Sequence, residues 1–429
     1  MTQQRSETTA RSLDVDVIVI GAGAAGIAAA RTLAANGLSY RVLEASARSG
    51  GRAFSDEAVP GAVFDRGCSW LHNADVNPLT KLADEHGIRY GGNTGRRFHL
   101  DGRFLDETEC NVMKAQIEAS LETVAAAGSA GRDVAAADVL AADAPHADLV
   151  NYIINAYYGV GPAAFSTLEA GEEEGTGQDW VVWDGLGNLI ERLAGAVEST
   201  CDCPVRSIER SNGGVRVTSD RGVLRAGAAI VTVSTGVLQA ELIRFDPVLP
   251  DEKRAALEAL PMGTLEKIAM VFDRDRFGMP PNTYLAVEKD GQFMGFHFLG
   301  GPLLLAYNGG ERGAEIARLD NAEAVARALD HLEHAYGTSL RPHLLTTAHT
   351  CWVDEPWIRG GYSAARPGGG HAQREVLARP LWDCLFFAGE ATESHRFSTA
   401  HGAWCSGERA AGEAIAALRG QPAAQSADQ

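Results

Sequence analysis

A glycine-rich segment near the N-terminus constrains the fold more than any other part of this 429-residue chain. From Asp16 it reads as an apolar β-branched run followed by Gly21, Gly23 and Gly26 within an alanine-rich stretch. The run predicts a strand buried on both faces, and the stretch predicts a helix that begins near Ala24. Gly21 allows a tight turn, Gly23 lets the backbone approach a ligand, and Gly26 lets the helix pack closely on the strand.

A second strand and an acidic residue complete this pattern. Tyr40 to Leu43 is the predicted second strand, and Glu44 follows at about the 20-residue offset from which a carboxylate hydrogen-bonds the ribose of an adenine dinucleotide. The free N–H groups at the N-terminus of the helix would face the pyrophosphate. A lone G-x-G-x-x-G string occurs readily by chance, but here the strand, helix, second strand and acid follow in order. The sequence therefore predicts a dinucleotide-binding βαβ unit rather than a purely structural one.

The composition is that of a folded globular protein with an acidic surface. Hydrophobic residues make up 45% and charged residues 22% of the chain, and the formal net charge is -18. This charge argues against a nucleic-acid partner and is compatible with cationic substrates. No apolar run approaches the length of a membrane span, and the first twelve residues do not resemble a signal peptide, so no membrane association is expected. Residues 1–12 and 421–429 are expected to be disordered tails.

The seven cysteines are an odd number and are scattered from Cys68 to Cys405. Their spacing matches neither a disulfide framework nor a zinc site, which suits a reducing cytoplasm. Cys201 and Cys203 lie close together, but no further Cys or His pair stands at ligand spacing from them. We interpret this pair as part of a loop beside a strand, and we predict no metal site.

Two arginines and a histidine-containing segment follow the predicted βαβ unit. Arg48 and Arg52 flank a glycine pair, and arginine offers a charged fork to phosphate oxygens. The segment from Asp65 to His72 comes next. On residue type alone, His72 would more often be a structural histidine than a catalytic one.

These motifs and three later segments resemble the flavin-dependent amine oxidases, the family that includes monoamine oxidases, polyamine oxidases and lysine-specific histone demethylases. The four segments lie at residues 21–72, 261–273, 352–363 and 382–403. They occur in the order in which the family has them. The resemblance covers nearly all of residues 13–420 and is weakest between residues 104 and 174.

The resemblance implies an α/β fold with two domains that no linker separates. One is an FAD-binding, Rossmann-like doubly wound domain, and the other is a substrate domain with a mixed sheet and a helical lobe. The FAD-binding domain would comprise residues 13–80, 196–250 and 376–420, and the substrate domain residues 81–195 and 251–375. Within the helical lobe, composition predicts helix over most of residues 105–165, with an interruption at 127–131.

The cofactor implied is noncovalently bound FAD. In the monoamine oxidases a cysteine that precedes the tyrosine of the third segment carries the flavin covalently, and that position is Gly361 here. The residues implied to bind the cofactor are Gly21, Gly23, Ala24, Gly26, Glu44, Arg48, Gly51, Arg52, Gly67, Ser69, Trp70, Val205, Trp352, Gly389, Glu390, Thr399 and Ala400.

The activity implied is oxidation of a primary or secondary amine to an imine, which hydrolyses to an aldehyde or ketone while dioxygen is reduced to hydrogen peroxide. Lys267 would hold a water against flavin N5, Tyr362 and Trp352 would shape the path of the amine, and His72 would contact the substrate. On residue type alone, a strand lysine such as Lys267 would face solvent. The position of the second aromatic wall of the monoamine oxidases is Thr399 here, and the motifs are closest to those of polyamine oxidases.

Other interpretations remain open at this point. The enzyme could be an amine dehydrogenase with another acceptor. An NAD(P)H-linked flavin oxidoreductase would carry a second dinucleotide fingerprint, and the glycine clusters at 185–187, 309–310 and 368–370 do not supply one after a strand. A noncatalytic FAD-binding scaffold is disfavoured by Lys267 and Tyr362. The acids at 172–174 and Asp179 either form an entrance for a polycation or belong to a solvated loop.

Overall fold

The computed structural model describes residues 13–59, 62–92 and 95–420. The predicted tails at 1–12 and 421–429 lie outside these residues. The described strands are, in chain order, β1 Val15–Ile20, β2 Tyr40–Leu43, β3 Ser55–Val59, β4 Ala62–Asp65, β5 Trp70–Leu71, β6 Tyr90–Gly91, β7 Gly95–Leu100, β8 Arg103–Phe104, β9 Trp180–Val182, β10 Ser199–Thr200, β11 Val205–Ser211, β12 Gly214–Ser219, β13 Gly222–Val231, β14 Arg244–Asp246, β15 Leu265–Phe272, β16 Thr283–Lys289, β17 Gln292–Phe298, β18 Leu303–Gly309, β19 Leu344–His349 and β20 Leu385–Phe387. The described α-helices are α1 Ala24–Ala35, α2 Pro78–Glu85, α3 Glu107–Ser129, α4 Ala147–Tyr158, α5 Thr167–Glu172, α6 Leu186–Ala194, α7 Thr235–Gln239, α8 Asp251–Ala259, α9 Gly310–Ala317, α10 Asn321–Tyr336, α11 Gln373–Ala378 and α12 Ala400–Leu418.

The first sheet contains the glycine-rich unit. Its strands follow the order β10-β2-β1-β13-β12-β11-β14, and β20 pairs with β13. β1 runs parallel to β2 and β13, whereas β11, β12 and β13 form an antiparallel meander. Val17 and Val19 pack in a core cluster with α1 and α12, and Ile18 and Ile20 pack in a second cluster on the opposite face. The run is apolar at every position because both faces of β1 are covered.

The second sheet is mixed, as expected. Its strands follow the order β19-β15-β18-β17-β16-β7-β8, and all its pairs are antiparallel except the parallel pair of β16 and β7. Ile268 and Met270 of β15 lie in a core cluster with α10. Because side chains alternate along a strand, Lys267 lies on the opposite face, where it contacts the segment at residues 65–69.

The helical lobe corrects one local prediction. Helix α3 does not stop at residue 127 but continues through Gly128 to Ser129. A Cβ atom at Gly128 would lie 1.8 Å from the carbonyl oxygen of Thr167, so this glycine allows α3 to pack against α5 rather than breaking it. The chain turns two residues after the helix, at Gly131, where φ is +76°.

The strands of the first sheet come from residues 15–43, 199–246 and 385–387, while the exact domain boundaries stay a prediction. Within the described part of the chain, no helix has the length and apolar content that crossing a membrane requires. Across those same residues, no group of three or more His, Cys, Asp or Glu side chains is arranged to hold a metal ion.

Candidate active site

A cavity of about 1060 Å³ is lined by residues of both sheets and of the helical lobe. It brings together nearly all residues that the resemblance implied. These lining residues are Lys267, Tyr362, Trp352, His72, Gly21, Gly23, Ala24, Glu44, Arg48, Gly51, Arg52, Gly67, Ser69, Trp70, Val205, Gly389, Glu390, Thr399 and Ala400. Gly26 is the exception. A Cβ atom there would lie 1.9 Å from the carbonyl oxygen of Gly21, so Gly26 serves the packing of helix on strand.

The turn between β1 and α1 has the form of a phosphate cradle. Gly21 has a φ of +103°, and a Cβ atom on it would lie 2.6 Å from Thr232 Oγ1. Gly23 caps α1 with its backbone alone, because no side chain bonds the first N–H groups and no acidic residue stands in the first turn. The positive end of the α1 helix dipole therefore faces the cavity. This arrangement suits a bound pyrophosphate.

Glu44 and Arg48 are suited to two different groups of a nucleotide, the ribose and the phosphate. The Glu44 carboxylate is buried and accepts hydrogen bonds from the N–H of Ala22 at 2.7 Å and from the N–H and hydroxyl of Ser46, each at 2.8 Å. These bonds fix the orientation of the carboxylate at the cavity wall, and its contact with ribose hydroxyls stays a prediction. Arg48 donates to the carbonyl oxygen of Gly51 at 2.9 Å, and no carboxylate pairs with it in the described chain. A cation without an acidic partner beside the cradle suits a phosphate.

Arg52 and Glu390 form a second polar wall of the cavity. Arg52 Nη1 lies 2.8 Å from Glu390 Oε1 and 2.8 Å from the carbonyl oxygen of Gly361. Glu390 also accepts the hydroxyl of Ser363 at 2.6 Å. Burial raises the pKa of the Glu390 carboxyl, but Arg52 and Arg374 outweigh this effect and hold the pKa below its usual range. The pair ties the glycine turn after β2 to the segment that precedes α12.

The N-terminus of α12 also meets the cavity. Thr399 caps the helix, because its hydroxyl accepts the N–H of Gly402 at 3.0 Å, and Ala400 is the first helical residue. No acidic residue stands in the first turn. A 19-residue helix that begins at a cavity wall favours negative charge there, as expected for the edge of a flavin ring that becomes reduced.

Lys267 is buried, with 3% of its surface exposed, so the solvent-facing alternative is wrong. Its ammonium donates to the carbonyl oxygens of Asp65 at 2.8 Å and Gly67 at 2.5 Å, and to Ser69 Oγ at 2.5 Å. Burial lowers the pKa of Lys267 to about 8. Protein acceptors thus occupy all three N–H bonds. The role of holding a water at flavin N5 stays a prediction, and it requires one of these N–H groups to be shared with that water.

The aromatic side chains implied by the resemblance are anchored through their polar atoms. Trp352 Nε1 donates to the carbonyl oxygen of Arg66 at 3.2 Å, and the Tyr362 hydroxyl donates to the carbonyl oxygen of Ala156 at 3.0 Å. Both side chains line the cavity. Their orientation is therefore set by hydrogen bonds as well as by packing, as a substrate channel requires.

The sequence prediction missed three side chains on the cavity floor: Tyr307, Tyr284 and Arg96. Tyr307 is the cross-strand partner of Lys267, and Tyr284 is the cross-strand partner of Arg96. Lys267 and Arg96 lie on strands four steps apart in the sheet order. Alternation along β7, β16 and β18 is the local signal for these residues, because a local pattern does not give the register between distant strands.

Acidic side chains line another part of the cavity, here called the acidic wall. His72 Nδ1 lies 3.0 Å from Asp179 Oδ1, and Glu173 accepts the hydroxyl of Tyr158 at 3.0 Å. Glu173, Glu174 and Asp179 line the cavity, whereas Glu172 is not among the lining residues. Burial raises the pKa of Glu173, whereas His72 offsets the effect of burial on Asp179 and holds its pKa below the usual range.

The cradle, the oriented Glu44 and the parallel strands define a dinucleotide-binding α/β fold. The chain belongs to the flavin-containing amine oxidoreductase family, whose sequence pattern matches residues 24–150 and 155–415. Membership confirms the predicted family, the α/β fold and the flavin cofactor. The roles of individual site residues and the noncovalent attachment of the cofactor stay predictions.

Similar proteins include enzymes of different substrate classes. Lysine-specific histone demethylase 1 homolog 2 of Oryza sativa subsp. japonica is 31% identical over 94% of this chain and 57% of its own length. Polyamine oxidase 4 of the same plant is 29% identical over 92% of this chain and 88% of its own length. The chain thus spans little more than half the length of the demethylase relatives it matches.

Solved structures share the fold. Cyclohexylamine oxidase from Brevibacterium oxydans superposes with a TM-score of 0.78 at 24% identity, covering 95% of this chain and 99% of its own. Wild-type putrescine oxidase bound to putrescine superposes with a TM-score of 0.77 at 22% identity, covering 94% of this chain and 99% of its own.

Proposed function

We propose that this protein is an FAD-dependent oxidase of primary or secondary amines. The product would be an imine that hydrolyses to an aldehyde or ketone, with dioxygen reduced to hydrogen peroxide. One observation carries the proposal: the buried Lys267 ammonium and the anchored Trp352 and Tyr362 line the same cavity as the dinucleotide cradle. A bound flavin supplies the two-electron acceptor for the α-carbon C–H bond of the amine.

The residues of the chain would act by orientation and by exclusion of water. Trp352 and Tyr362 would present ring faces that exclude water and direct the C–H bond. No carboxylate base is needed if the reacting amine enters as the neutral base. His72, paired with Asp179, would contact the substrate. The positive charge of Lys267 would stabilise negative charge that develops nearby during electron transfer.

A diamine or polyamine is the substrate class that the acidic wall supports best. Glu173, Glu174 and Asp179 would attract a second ammonium group while the first amine reaches the reaction centre. The relatives named as polyamine oxidase and putrescine oxidase accord with this proposal. A cytoplasmic location stays an expectation from cysteine usage.

The test is anaerobic mixing of the purified yellow holoprotein with a panel of mono-, di- and polyamines. Loss of flavin absorbance with an amine, followed by its return and release of hydrogen peroxide on admission of air, is the expected result. Loss of absorbance that air does not reverse would favour a dehydrogenase with another acceptor. Failure of every amine class to reduce the flavin would contradict the proposal.

A further inference from the structure

Glu266 stands next to Lys267 in β15 but points to the other face of the sheet. Its side chain is fully buried, with 0% of its surface exposed. Oε1 accepts the backbone N–H of Trp352 at 2.9 Å, and Oε2 accepts the hydroxyl of Thr350 at 2.5 Å. One carboxylate therefore holds both ends of the 350–352 turn, which follows directly on β19.

Among the described residues, no basic side chain neutralises this carboxylate. In the described residues Glu266 forms no ion pair, and its cross-strand neighbour Asn308 offers only an amide, which itself makes no hydrogen bond. Burial raises the pKa of Glu266 to about 7, and Asp354 adds to the rise. A buried carboxyl group without a cation destabilises the fold, so a strand built for stability alone would carry an apolar residue here.

The turn that Glu266 holds is connected to the Lys267 site in two ways. The indole N–H of Trp352 bonds to Arg66, and its Cζ2 lies 3.4 Å from the point where a Cβ atom on Gly67 would stand. The ring thus covers the segment that receives the Lys267 ammonium. Thr350 also accepts the N–H of Lys267 at 2.8 Å and donates its own N–H to the Lys267 carbonyl at 2.9 Å.

We propose that Glu266 is a positioning residue, whose carboxylate fixes the 350–352 turn so that the Trp352 indole and the Lys267 ammonium keep their relative placement beside the flavin. Glu266 does not line the cavity in which cofactor and substrate would bind. The kinetic consequences rest on the proposed amine oxidation, whereas the hold on the Trp352 backbone does not. Two kinds of measurement therefore separate the two.

Two substitutions remove the contacts of Glu266 with the 350–352 turn to different extents. Glu266→Gln keeps one carbonyl oxygen for the Trp352 N–H, and its amide can donate to Thr350. Glu266→Met retains a similar volume but offers no acceptor. Flavin reduction by the best amine is expected to slow by about 10²-fold in Glu266→Met, because small misplacements of orienting groups carry that cost, and by less in Glu266→Gln. The apparent affinity for the amine should change less than the rate of reduction.

A double-mutant cycle with Trp352→Phe distinguishes positioning from general destabilisation. If Glu266 acts through the indole, Glu266→Met should slow the Trp352→Phe enzyme by much less than it slows the wild type. Met270→Ala is the matched control, since Met270 is buried on the same strand but packs in the core with α10. It should lower the thermal stability without the selective loss of flavin reduction. Fully multiplicative effects of Glu266→Met and Trp352→Phe would overturn the proposal.

Hydrogen exchange of the Trp352 amide measures the hydrogen bond to Glu266 directly and does not require catalysis. The Glu266 bond should protect this amide in the holoprotein, Glu266→Met should remove the protection, and Met270→Ala should largely keep it. Unchanged protection in Glu266→Met would overturn the positioning role even in an active enzyme. Suppose that no amine reduces the flavin, but that Glu266→Met still loses the protection selectively. The proposed function would then be refuted, whereas the hydrogen bond between Glu266 and Trp352 would stand.

Discussion

Lys267 Nζ donates to Ser69 Oγ at 2.5 Å, and this contact ties the second sheet to the loop that follows the glycine-rich unit. Lys267 belongs to β15, whereas Ser69 lies 198 residues earlier in the chain. The cavity is closed at this point by hydrogen bonds rather than by apolar packing alone. Because the ammonium also reaches the carbonyl oxygens of Asp65 and Gly67, its position is set by three acceptors from one short segment.

Weaker FAD binding is predicted for Glu44→Gln. The carboxylate accepts backbone N–H groups on both oxygens, and an amide NH₂ in place of one oxygen would face a donor. Loss of an oriented, buried acceptor costs about 1–3 kcal/mol, so the Kd for FAD should rise by about 10-fold or more. Titration of apoprotein with FAD measures this. Glu209→Gln is the control and should bind FAD normally. Glu209 lies on β11 and forms a half-buried ion pair with Arg216.

Noncovalent attachment of the flavin is the second prediction. Gly361 occupies the tethering position, and burial raises the pKa of Cys68, the cysteine that lines the cavity, to about 12, so its thiol stays protonated. Acid precipitation of the holoprotein should leave the yellow colour in the supernatant. Colour that remains in the pellet would count against noncovalent attachment.

Salt should weaken the binding of a diamine or polyamine. Exposed charge interactions are screened over about 10 Å at 0.1 M salt, and the acids on the cavity wall would supply much of the attraction. Glu173→Gln and Asp179→Asn should raise KM at low salt and flatten its salt dependence. Glu172→Gln is the matched control, since Glu172 does not line the cavity. A KM that ignores salt, or equal effects of all three substitutions, would refute the acidic wall as a binding element.

Glu266 makes a prediction about stability and pH. The pKa of this acid is raised from 4.5 to about 7 in the folded protein, so between these values the folded state binds more protons than the unfolded state. Stability contributed by protonated Glu266 is therefore lost as pH rises from about 4.5 to 7, by up to about 3 kcal/mol. Urea unfolding should show that the free energy of unfolding of Glu266→Gln, relative to that of the wild type, is higher at pH 7.5 than at pH 5. A constant difference would contradict the shift.

Sequence patterns were sufficient where the decisive contacts are local. The predicted strand Tyr40–Leu43 agrees with β2 at both ends, and the predicted run from Val17 lies within β1, because hydrophobic pattern and glycine placement act over neighbouring residues. Contacts between distant segments were not accessible in this way. Helix α6 begins at Leu186, where the Asp65 carboxylate, 121 residues earlier in the chain, accepts the Leu186 N–H at 3.0 Å.

The candidate site shows the same division. Gly21, Glu44 and Lys267 were recognisable from motifs, and the structure brings them to one cavity. Tyr307 and the bond between Glu266 and Trp352 depend on strand register and on a turn 86 residues away, which no local pattern encodes. The resemblance supplied roles for the marked residues of the family motifs, but not for a neighbour within a motif such as Glu266 or for a residue between motifs such as Tyr307.

Lys267→Met tests the account most directly. Methionine keeps much of the stem but removes the charge and three hydrogen bonds, so some loss of thermal stability is expected while FAD is retained. Ser69→Ala is the control, since it removes one of those bonds and leaves the charge.

Stopped-flow absorbance should separate reduction of the flavin by an amine from its reoxidation by dioxygen. One preorganised polar group commonly contributes about 2.7–4 kcal/mol to a transition state, so at least one half-reaction should slow by about 10²-fold or more in Lys267→Met and by much less in Ser69→Ala. Wild-type rates in both half-reactions of an FAD-loaded Lys267→Met protein would contradict the assignment of Lys267 to the reaction centre.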